Sequence, residues 1–218
     1  MYLPSHFAES RPEVLHALVQ SHPLSTLVTL GDAGLVADQI PLFLRADAGP
    51  AGTLVGHVAR ANPLWRSTRL ETQVLAIFQG PQHYVSPGWY PGKQEHGKVV
   101  PTWNYVVVQA QGILQIHDDP QWVRAQVSQL TTQQERTSAK PWAVDDAPRE
   151  YTDTMLKAIV GISIEITHWS GKWKVSQNQT AANRAGVVEA LGHLPSGQAT
   201  AMAALVANHA PDATNKGA

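Results

Sequence analysis

The chain contains no cysteine in its 218 residues. This absence excludes disulfide bonds, thiolate-bound zinc, iron–sulfur clusters and catalysis by a cysteine nucleophile. The sequence also has little net charge, −1 at pH 7, so no overall positive charge would attract it to nucleic acid or to an anionic membrane. Binding to DNA would require a local basic patch, and the sequence contains neither a basic stripe nor a recognisable helix-turn-helix.

Long hydrophobic runs and familiar catalytic motifs are absent too. No apolar run approaches the roughly 18 residues of a membrane span. The start of the chain, MYLPSHFAES, lacks the cationic residues and apolar stretch of a secretory signal. We therefore expect a cytoplasmic protein that does not bind membranes. The sequence has no GxGxxG, GxxxxGKS/T, GxSxG, HxH or HExxH motif, so we predict no metal site and assign no catalytic residue.

What the sequence does contain is a series of strand candidates separated by turns, with helices inserted mainly in its second half. The pattern predicts strands at residues 25–30, 35–44, 54–57, 73–78, 102–117, 162–166 and 172–175. Helices are predicted at residues 10–20, 62–70, 151–160, 184–191 and 198–209, with a further helix starting at 118–120. This order favours a mainly β fold with flanking helices (α+β), built on an antiparallel barrel. No Gly-, Ser- or Pro-rich linker divides the chain, so we predict one domain, residues 1–218, with C-terminal helices at about 180–209.

Glycine and proline positions give four more local expectations. Pro41 inside a strand candidate predicts an edge strand or a bulge, because proline cannot donate to a neighbouring strand. Gly112 predicts a bulge or bend in the long strand. Gly161 is expected to end a helix, and Ser170-Gly171 is expected to form a turn between two strands.

Residues 83–105 carry the clearest functional signal. Two aromatic clusters, Trp89-Tyr90 and Trp103-Asn104-Tyr105, flank a polar loop with the sequence PGKQEHGK. Strand candidates precede and follow this stretch, so they would bring rings, amides, hydroxyls and a few cations to one place. Such a set suits a planar ligand that is stacked on rings and hydrogen-bonded at its edges. The alternative is that the aromatic residues fill the mouth of the barrel.

Two further stretches could bind an anion. Residues 57–63, HVARANP, read as a strand–helix junction whose backbone N–H groups and Arg60 suit a phosphate monoester. The alternative is a capped surface helix with a solvated arginine. Lys172 and Lys174 alternate onto one face of a strand, followed by Ser176-Gln177-Asn178, and this arrangement suits an anionic or carbonyl-rich ligand. Here the alternative is an exposed edge strand protected by lysines.

Taken together, five stretches resemble the PaiB-like FMN-binding negative transcriptional regulators. They occur in family order over nearly the whole chain: MYLPSHF at the start, HVARANP at 57–63, YVSPGWY at 84–90, VPTWNY at 100–105 and KVSQN at 174–178. The resemblance implies a split-barrel flavin-binding fold, similar to pyridoxamine-phosphate oxidase, with FMN held at a homodimer interface. It also implies that the junction HVARAN holds the FMN phosphate.

The resemblance and the residue patterns together give a set of predicted cofactor-binding residues. These are His57, Ala59, Arg60, Asn62, Tyr84, Ser86, Trp103, Asn104, Tyr105, Lys174, Ser176 and Gln177.

Three positions depart from the family pattern. Gln179 stands where a basic residue often follows SQN, Asn183 stands where an acidic residue usually precedes RAGV, and Gln109 occupies a position that is commonly histidine. The first departure would weaken anion binding, and the third would remove any proton transfer at that position.

Three functions therefore remain open from the sequence. The first is an FMN-binding negative transcriptional regulator, which is the function of the family resembled. The second is a flavin-dependent reductase or oxidase that uses the same site, in which the flavin supplies the redox chemistry. The third is a haem-binding split-barrel protein with a histidine as iron ligand. The predicted partners are FMN and a second copy of the chain, and neither charge nor motif supports DNA as a third.

Overall fold

The computed structural model of the chain describes residues 1–70 and 72–209, with only the backbone described at His96. Its strands are β1 (Ala8–Glu9), β2 (Leu24–Gly31), β3 (Gly34–Pro41), β4 (Phe43–Arg45), β5 (Thr53–Ala59), β6 (Gln73–Val85), β7 (Thr102–His117) and β8 (Ile159–Lys174). Its helices are α1 (Pro12–Ser21), α2 (Leu64–Ser67), α3 (Gly92–His96), α4 (Pro120–Glu135), α5 (Arg149–Lys157), α6 (Ala181–Gly192) and α7 (Gly197–Asn208). Single 3-10 turns lie at Ser5–Phe7, Pro87–Trp89 and Val144–Asp146.

The strands form one sheet in the order β3-β2-β6-β7-β8-β5-β4, and β1 pairs with β8 beside this path. The registered pairs, such as β2 with β3 and β5 with β8, are antiparallel. The order begins and ends on strands β3 and β4, so the sheet does not close on itself. The predicted class, an antiparallel split barrel with flanking helices, is confirmed. Pro41 ends β3, at the edge of the sheet, as its missing N–H group predicts.

By its internal contacts the chain divides into two compact units. The first comprises Met1–Leu15, Gln79–Val108 and Ser170–Ala218, and the second comprises His16–Phe78 and Gln109–Trp169. Strands β6, β7 and β8 each contribute residues to both units. The prediction of a single domain remains a prediction.

Each unit has its own apolar core. In the second unit the alternating strand residues of β2, β5, β6 and β8 supply fully buried side chains: Leu27, Leu54, Val74, Phe78, Ile162, Ile164 and Ile166. In the first unit, helices α6 and α7 contribute Val187, Leu191, Met202 and Val206, and the strands contribute Val85, Val106 and Val108. Burial of such side chains contributes about 1.5–3 kcal/mol each, which fixes the strands that position the candidate site.

The predicted turn at Ser170-Gly171 is wrong, because β8 runs without interruption from Ile159 to Lys174. Strand β1 pairs along this part of β8, with Glu9 opposite Gly171 and Ala8 opposite Lys172. A Cβ atom on Gly171 would lie 2.3 Å from Leu15 Cδ2 and 2.8 Å from the Glu9 carbonyl oxygen. The glycine therefore marks a close approach of other chain segments and not a reversal of direction.

Two predicted helices end earlier than expected. The helix expected at 151–160 ends at Lys157, and Gly161 lies in β8 opposite His57, where a Cβ atom would lie 2.2 Å from the Trp122 ring. The helix expected at 62–70 covers only Leu64–Ser67. Thr68 stops it, since its hydroxyl donates to the Leu64 carbonyl and its extended backbone bridges to β2.

The functional stretch is more regular than predicted. Strand β6 continues to Val85, and the loop PGKQEHGK contains the short helix α3, which ends at Gly97 in the left-handed conformation with φ 67°. Strand β7 is continuous through Gly112, and the bulge or bend expected there stays a prediction. A Cβ atom on Gly112 would lie 2.3 Å from the Glu165 carbonyl oxygen, so this glycine also marks a close approach.

Within residues 1–70 and 72–209, no helix is both long enough and apolar enough to cross a membrane.

Replacing Gly171 with alanine tests the close approach of β1 and α1 to β8. We expect Gly171→Ala to lower the free energy of unfolding by about 1–3 kcal/mol, the usual cost of overpacking. Gly192→Ala is the matched control, because nothing lies within 4 Å of a Cβ atom there, and it should keep or gain up to about 1 kcal/mol. Urea denaturation of both variants measures the difference. Equal stabilities would contradict the packing described.

Candidate functional site

The predicted site residues fall into two groups. Tyr84, Ser86, Trp103, Asn104, Tyr105, Lys174, Ser176 and Gln177 belong to the first compact unit, and His57, Ala59, Arg60 and Asn62 belong to the second.

In the first group, the start of β7 is bound to the end of β8 by side-chain hydrogen bonds. Lys174 Nζ donates to the Thr102 hydroxyl and, over 2.7 Å, to the Trp103 carbonyl oxygen. Asn104 Nδ2 donates to Ser176 Oγ over 2.8 Å, and both side chains are buried. We call these five residues the β7–β8 cluster. Its contacts place an ammonium, an amide and two hydroxyls next to one another.

Ser176 has a backbone conformation that serine rarely adopts. Its φ of 65° is the one positive φ found for a non-glycine residue in the described part of the chain. Such a residue costs of the order of 1 kcal/mol and persists only where its surroundings hold it. Gln177 supplies that support, since its Oε1 accepts from the Val175 N–H over 2.8 Å and its Nε2 donates to the Trp173 carbonyl oxygen. The structure thus uses Gln177, predicted as a cofactor contact, to hold the turn that presents Ser176.

Aromatic rings lie beside the cluster in this unit. The side chain of Trp103 is 54% exposed and that of Tyr84 is 41% exposed, and their rings meet edge to face with centroids 6.0 Å apart. Tyr105 places its ring 5.4 Å from Lys172 Nζ. Ser86 accepts a hydrogen bond from the Gly88 N–H over 3.2 Å and so caps the 3-10 turn Pro87–Trp89. Exposed rings next to hydrogen-bonding groups are the expected surface for a planar ligand.

The electrostatics of this unit are set by two lysines. Burial lowers the pKa of the Lys174 ammonium, and the positive charge of Lys172 lowers it further. The Lys172 side chain is itself buried, donating to the Tyr2 carbonyl oxygen over 3.0 Å. Sequence reasoning named Lys174 as a site residue, but it missed the contacts that Thr102 and Tyr2 make with the two ammonium groups, because these partners lie about 70 and 170 residues away in sequence.

In the second group, the predicted anion-binding residues already have protein partners. Arg60 Nη1 and Nη2 donate to the two carboxylate oxygens of Asp118, over 2.9 and 2.5 Å. Arg60 Nε donates to the Lys157 carbonyl oxygen, and Nη2 also donates to the Ile159 carbonyl oxygen. The guanidinium in turn lowers the pKa of the Asp118 carboxyl. Asn62 donates to Asp38 Oδ1 over 3.0 Å and accepts from the Leu64 N–H over 2.8 Å.

His57 and Ala59 complete the second group. His57 Nδ1 lies 2.8 Å from Gln126 Oε1 on α4, so the ring nitrogen carries the proton and donates it. Ala59 is exposed at the end of β5. Two carboxylates, Asp118 and Asp38, thus occupy donors that the sequence assigned to a phosphate. The role of these four residues in cofactor binding stays a prediction.

Two departures from the family pattern form a single contact. Asn183 Nδ2 donates to Gln179 Oε1 over 3.2 Å, and Asn183 Oδ1 accepts from the Gly92 N–H at the start of α3 over 3.3 Å. A neutral amide pair therefore stands where the pattern would place a basic and an acidic side chain. Helix α6 also approaches Trp89 closely, because a Cβ atom on Gly186 would lie 2.2 Å from the Trp89 carbonyl oxygen.

Comparisons with known proteins identify the family of the chain. Residues 1–168 match the family model described as "Putative FMN-binding domain". An uncharacterised protein from Emericella nidulans is 34% identical over 229 residues, covering 89% of this chain and 91% of the relative. Protease synthase and sporulation protein PAI 2 from Bacillus subtilis is 29% identical over 207 residues, covering 94% and 96%. Among solved structures, the FAD and haem binding protein from Mycobacterium smegmatis superposes with a TM-score of 0.54 at 19% identity, covering 78% of this chain and 74% of that one.

The fold and these matches define the class as a flavin-binding split barrel. The chain belongs to the FMN-binding family whose model it matches, and the PaiB-like resemblance of the sequence is confirmed. The predicted cofactor, FMN, is supported by the same family model.

Removing the Gln177 amide tests whether it holds the turn that presents Ser176. We expect Gln177→Leu to lower the free energy of unfolding by about 2–4 kcal/mol, because the buried Val175 N–H and Trp173 carbonyl would lose their partners. The exposed neighbour Asn178 gives the control, since Asn178→Ala should change stability by less than about 0.5 kcal/mol. Thermal or urea unfolding of the two variants decides the matter, and similar stabilities would show that Gln177 is not needed for the turn.

Proposed function

We propose that this chain is a cytoplasmic, homodimeric FMN-binding protein that acts as a PaiB-like negative transcriptional regulator. The observation that carries the flavin part of the proposal is the β7–β8 cluster with its exposed rings. It combines Trp103 and Tyr84 with an ammonium, an amide and hydroxyls at the strained turn of Ser176. This combination suits a flat heteroaromatic ligand with polar edges.

The residues present fit FMN in chemical type. Trp103 and Tyr84 would pack against the ring system, while the Ser176 hydroxyl would donate a hydrogen bond to its carbonyl edge. Bound FMN supplies electron transfer, and the protein supplies orientation and electrostatics.

The regulatory part of the proposal is supported by the family resemblance and by the 29% identical relative named protease synthase and sporulation protein PAI 2. The surface charges favour regulation through a ligand or a partner protein over regulation by direct binding to DNA. Arg69, Arg124 and Arg149 each lie within 4 Å of an aspartate, so these arginines are neutralised locally. A flavin-dependent oxidoreductase would use the same cluster, and turnover of NAD(P)H by the loaded protein would favour that alternative.

The cofactor can be identified from the absorption spectrum and from flavin titrations. We expect flavin bands in the purified protein and a preference for FMN over riboflavin and FAD, because FMN carries one terminal phosphate. Trp103→Ala should weaken FMN binding by about tenfold through lost ring packing. Trp142→Ala is the control, since Trp142 is similarly exposed, at 48%, in the second unit. An intense Soret band, or equal affinity for all three flavins, would contradict the proposal.

The homodimer is supported by the apolar residues that the first unit exposes. Tyr2, Val100, Trp103 and Tyr84 are all large hydrophobic side chains with at least two-fifths of their surface accessible, and such residues commonly mark protein interfaces.

Sedimentation at micromolar concentration tests the dimer. We expect the wild type and Trp142→Glu to sediment as dimers, and Trp103→Glu to shift toward monomer because it puts a charge into an apolar interface. A wild-type monomer that binds FMN tightly would argue against an interface in the first unit.

A further inference from the structure

Lys172 and Lys174 are two like charges at alternate positions at the end of β8, so they share one face of the strand. Burial lowers the pKa of the Lys174 ammonium, and the charge of Lys172 lowers it further. The Lys172 side chain is buried as well. Among the described residues, the ion pairs found within 4.0 Å include neither lysine. The described part of the chain therefore holds two neighbouring ammonium groups with no carboxylate paired to either.

The carboxylate nearest to this pair in strand register is already engaged. Glu9 lies in β1 opposite Gly171, next to the residue that faces Lys172. Its oxygens accept from the Arg11 side chain over 2.9 and 2.5 Å and from the Arg11 backbone N–H over 3.0 Å. Arg11 thus lowers the pKa of the Glu9 carboxyl, and Glu9 does not contribute to neutralising the lysines.

The two ammonium groups retain donors that no hydrogen bond among the described residues uses. Each ammonium has three N–H groups. Lys172 uses one on the Tyr2 carbonyl oxygen, and Lys174 uses two, on Thr102 and on the Trp103 carbonyl oxygen. Three N–H groups therefore remain between them. The rings of Tyr2 and Tyr105 lie 5.5 and 5.4 Å from Lys172 Nζ, within the range of a cation–π contact.

We propose that Lys172 and Lys174 form a binding site for an oxyanion, a phosphate or carboxylate group. The inference deepens the proposed flavin function and rests on it for the identity of one source, the phosphate of FMN. The other source is a separate anionic small molecule that binds beside the flavin. Both supply the same chemistry, a compact anion whose oxygens accept the three remaining N–H groups.

The contrast with the Arg60 junction supports this location. Arg60 has four hydrogen bonds, two of them to Asp118, and Asn62 donates to Asp38, whose other oxygen, Oδ2, is buried and has no partner among the described residues. An anion at the junction would have to displace one carboxylate and approach another. At the lysine pair it would meet positive charge that is not yet paired.

The test combines three lysine-to-methionine variants with three probes. Lys172→Met and Lys174→Met keep the length of the side chain and remove the charge, and the exposed Lys140→Met is the control. Inorganic phosphate, FMN and riboflavin are titrated into each protein at constant ionic strength, with chloride as the reference anion. Flavin fluorescence reports flavin binding, and the melting temperature of flavin-free and FMN-loaded protein reports phosphate binding.

Two results would support the site and identify its source. If the anion is the FMN phosphate, Lys172→Met weakens FMN binding by about tenfold or more, leaves riboflavin binding unchanged, and phosphate competes with FMN. If the anion belongs to a second ligand, Lys172→Met and Lys140→Met bind both flavins as the wild type does. Phosphate then raises the melting temperature of FMN-loaded wild type and Lys140→Met, but not that of Lys172→Met or Lys174→Met.

The site is overturned if phosphate has no more effect than chloride on the wild type and the preference for FMN survives in both lysine variants. If only Arg60→Ala loses the preference for FMN, the FMN phosphate binds at the Arg60 junction and not at the lysine pair. Should the methionine variants fail to fold, the ε-carbon NMR signals of Lys172 and Lys174 in the wild type replace them, and signals that phosphate does not shift exclude the site. If the protein binds no flavin, the proposed function is refuted. The phosphate measurement on flavin-free protein still tests whether Lys172 and Lys174 bind an anion.

Discussion

The candidate site depends on the hydrogen bonds between the start of β7 and the end of β8. Asn104 and Ser176 form a buried pair, and Lys174 spans to two consecutive residues of β7. These bonds join segments that are about 70 residues apart in sequence. They act together with the Gln177 side chain, which holds the turn at Ser176, and they keep the Trp103 carbonyl in contact with Lys174. The exposed rings can serve as a ligand surface only because this frame beneath them is fixed.

Local signals in the sequence were sufficient for the features that depend on neighbouring residues. Pro41 marks an edge strand because its own nitrogen lacks a hydrogen. Asp119 starts α4 because its carboxylate accepts from the N–H groups of Gln121 and Trp122. The aromatic stretch of residues 83–105 was predicted to be functional from its residue types and flanking strands, and the Trp103 and Tyr84 rings lie beside hydrogen-bonding groups.

Features that depend on distant residues could not be predicted in this way. Gly161 and Gly171 looked like a helix end and a turn, but each is a glycine because another segment packs where a Cβ atom would be. Arg60 looked like a free cation, yet Asp118 is paired with it across 58 residues of sequence. No local pattern distinguishes a glycine needed for a turn from one needed for packing, or a free arginine from a paired one.

The amide pair of Gln179 and Asn183 has a consequence for how α3 is attached to α6. Asn183 links the two helices by accepting from the Gly92 N–H, and its own partner is neutral. An ion pair at these positions would weaken as dissolved salt screened it, over a Debye length of about 8 Å at physiological ionic strength. A bond between two amides carries no net charge to screen. Salt in the cell therefore does not weaken this hydrogen-bonded link between α3 and α6, next to Trp89.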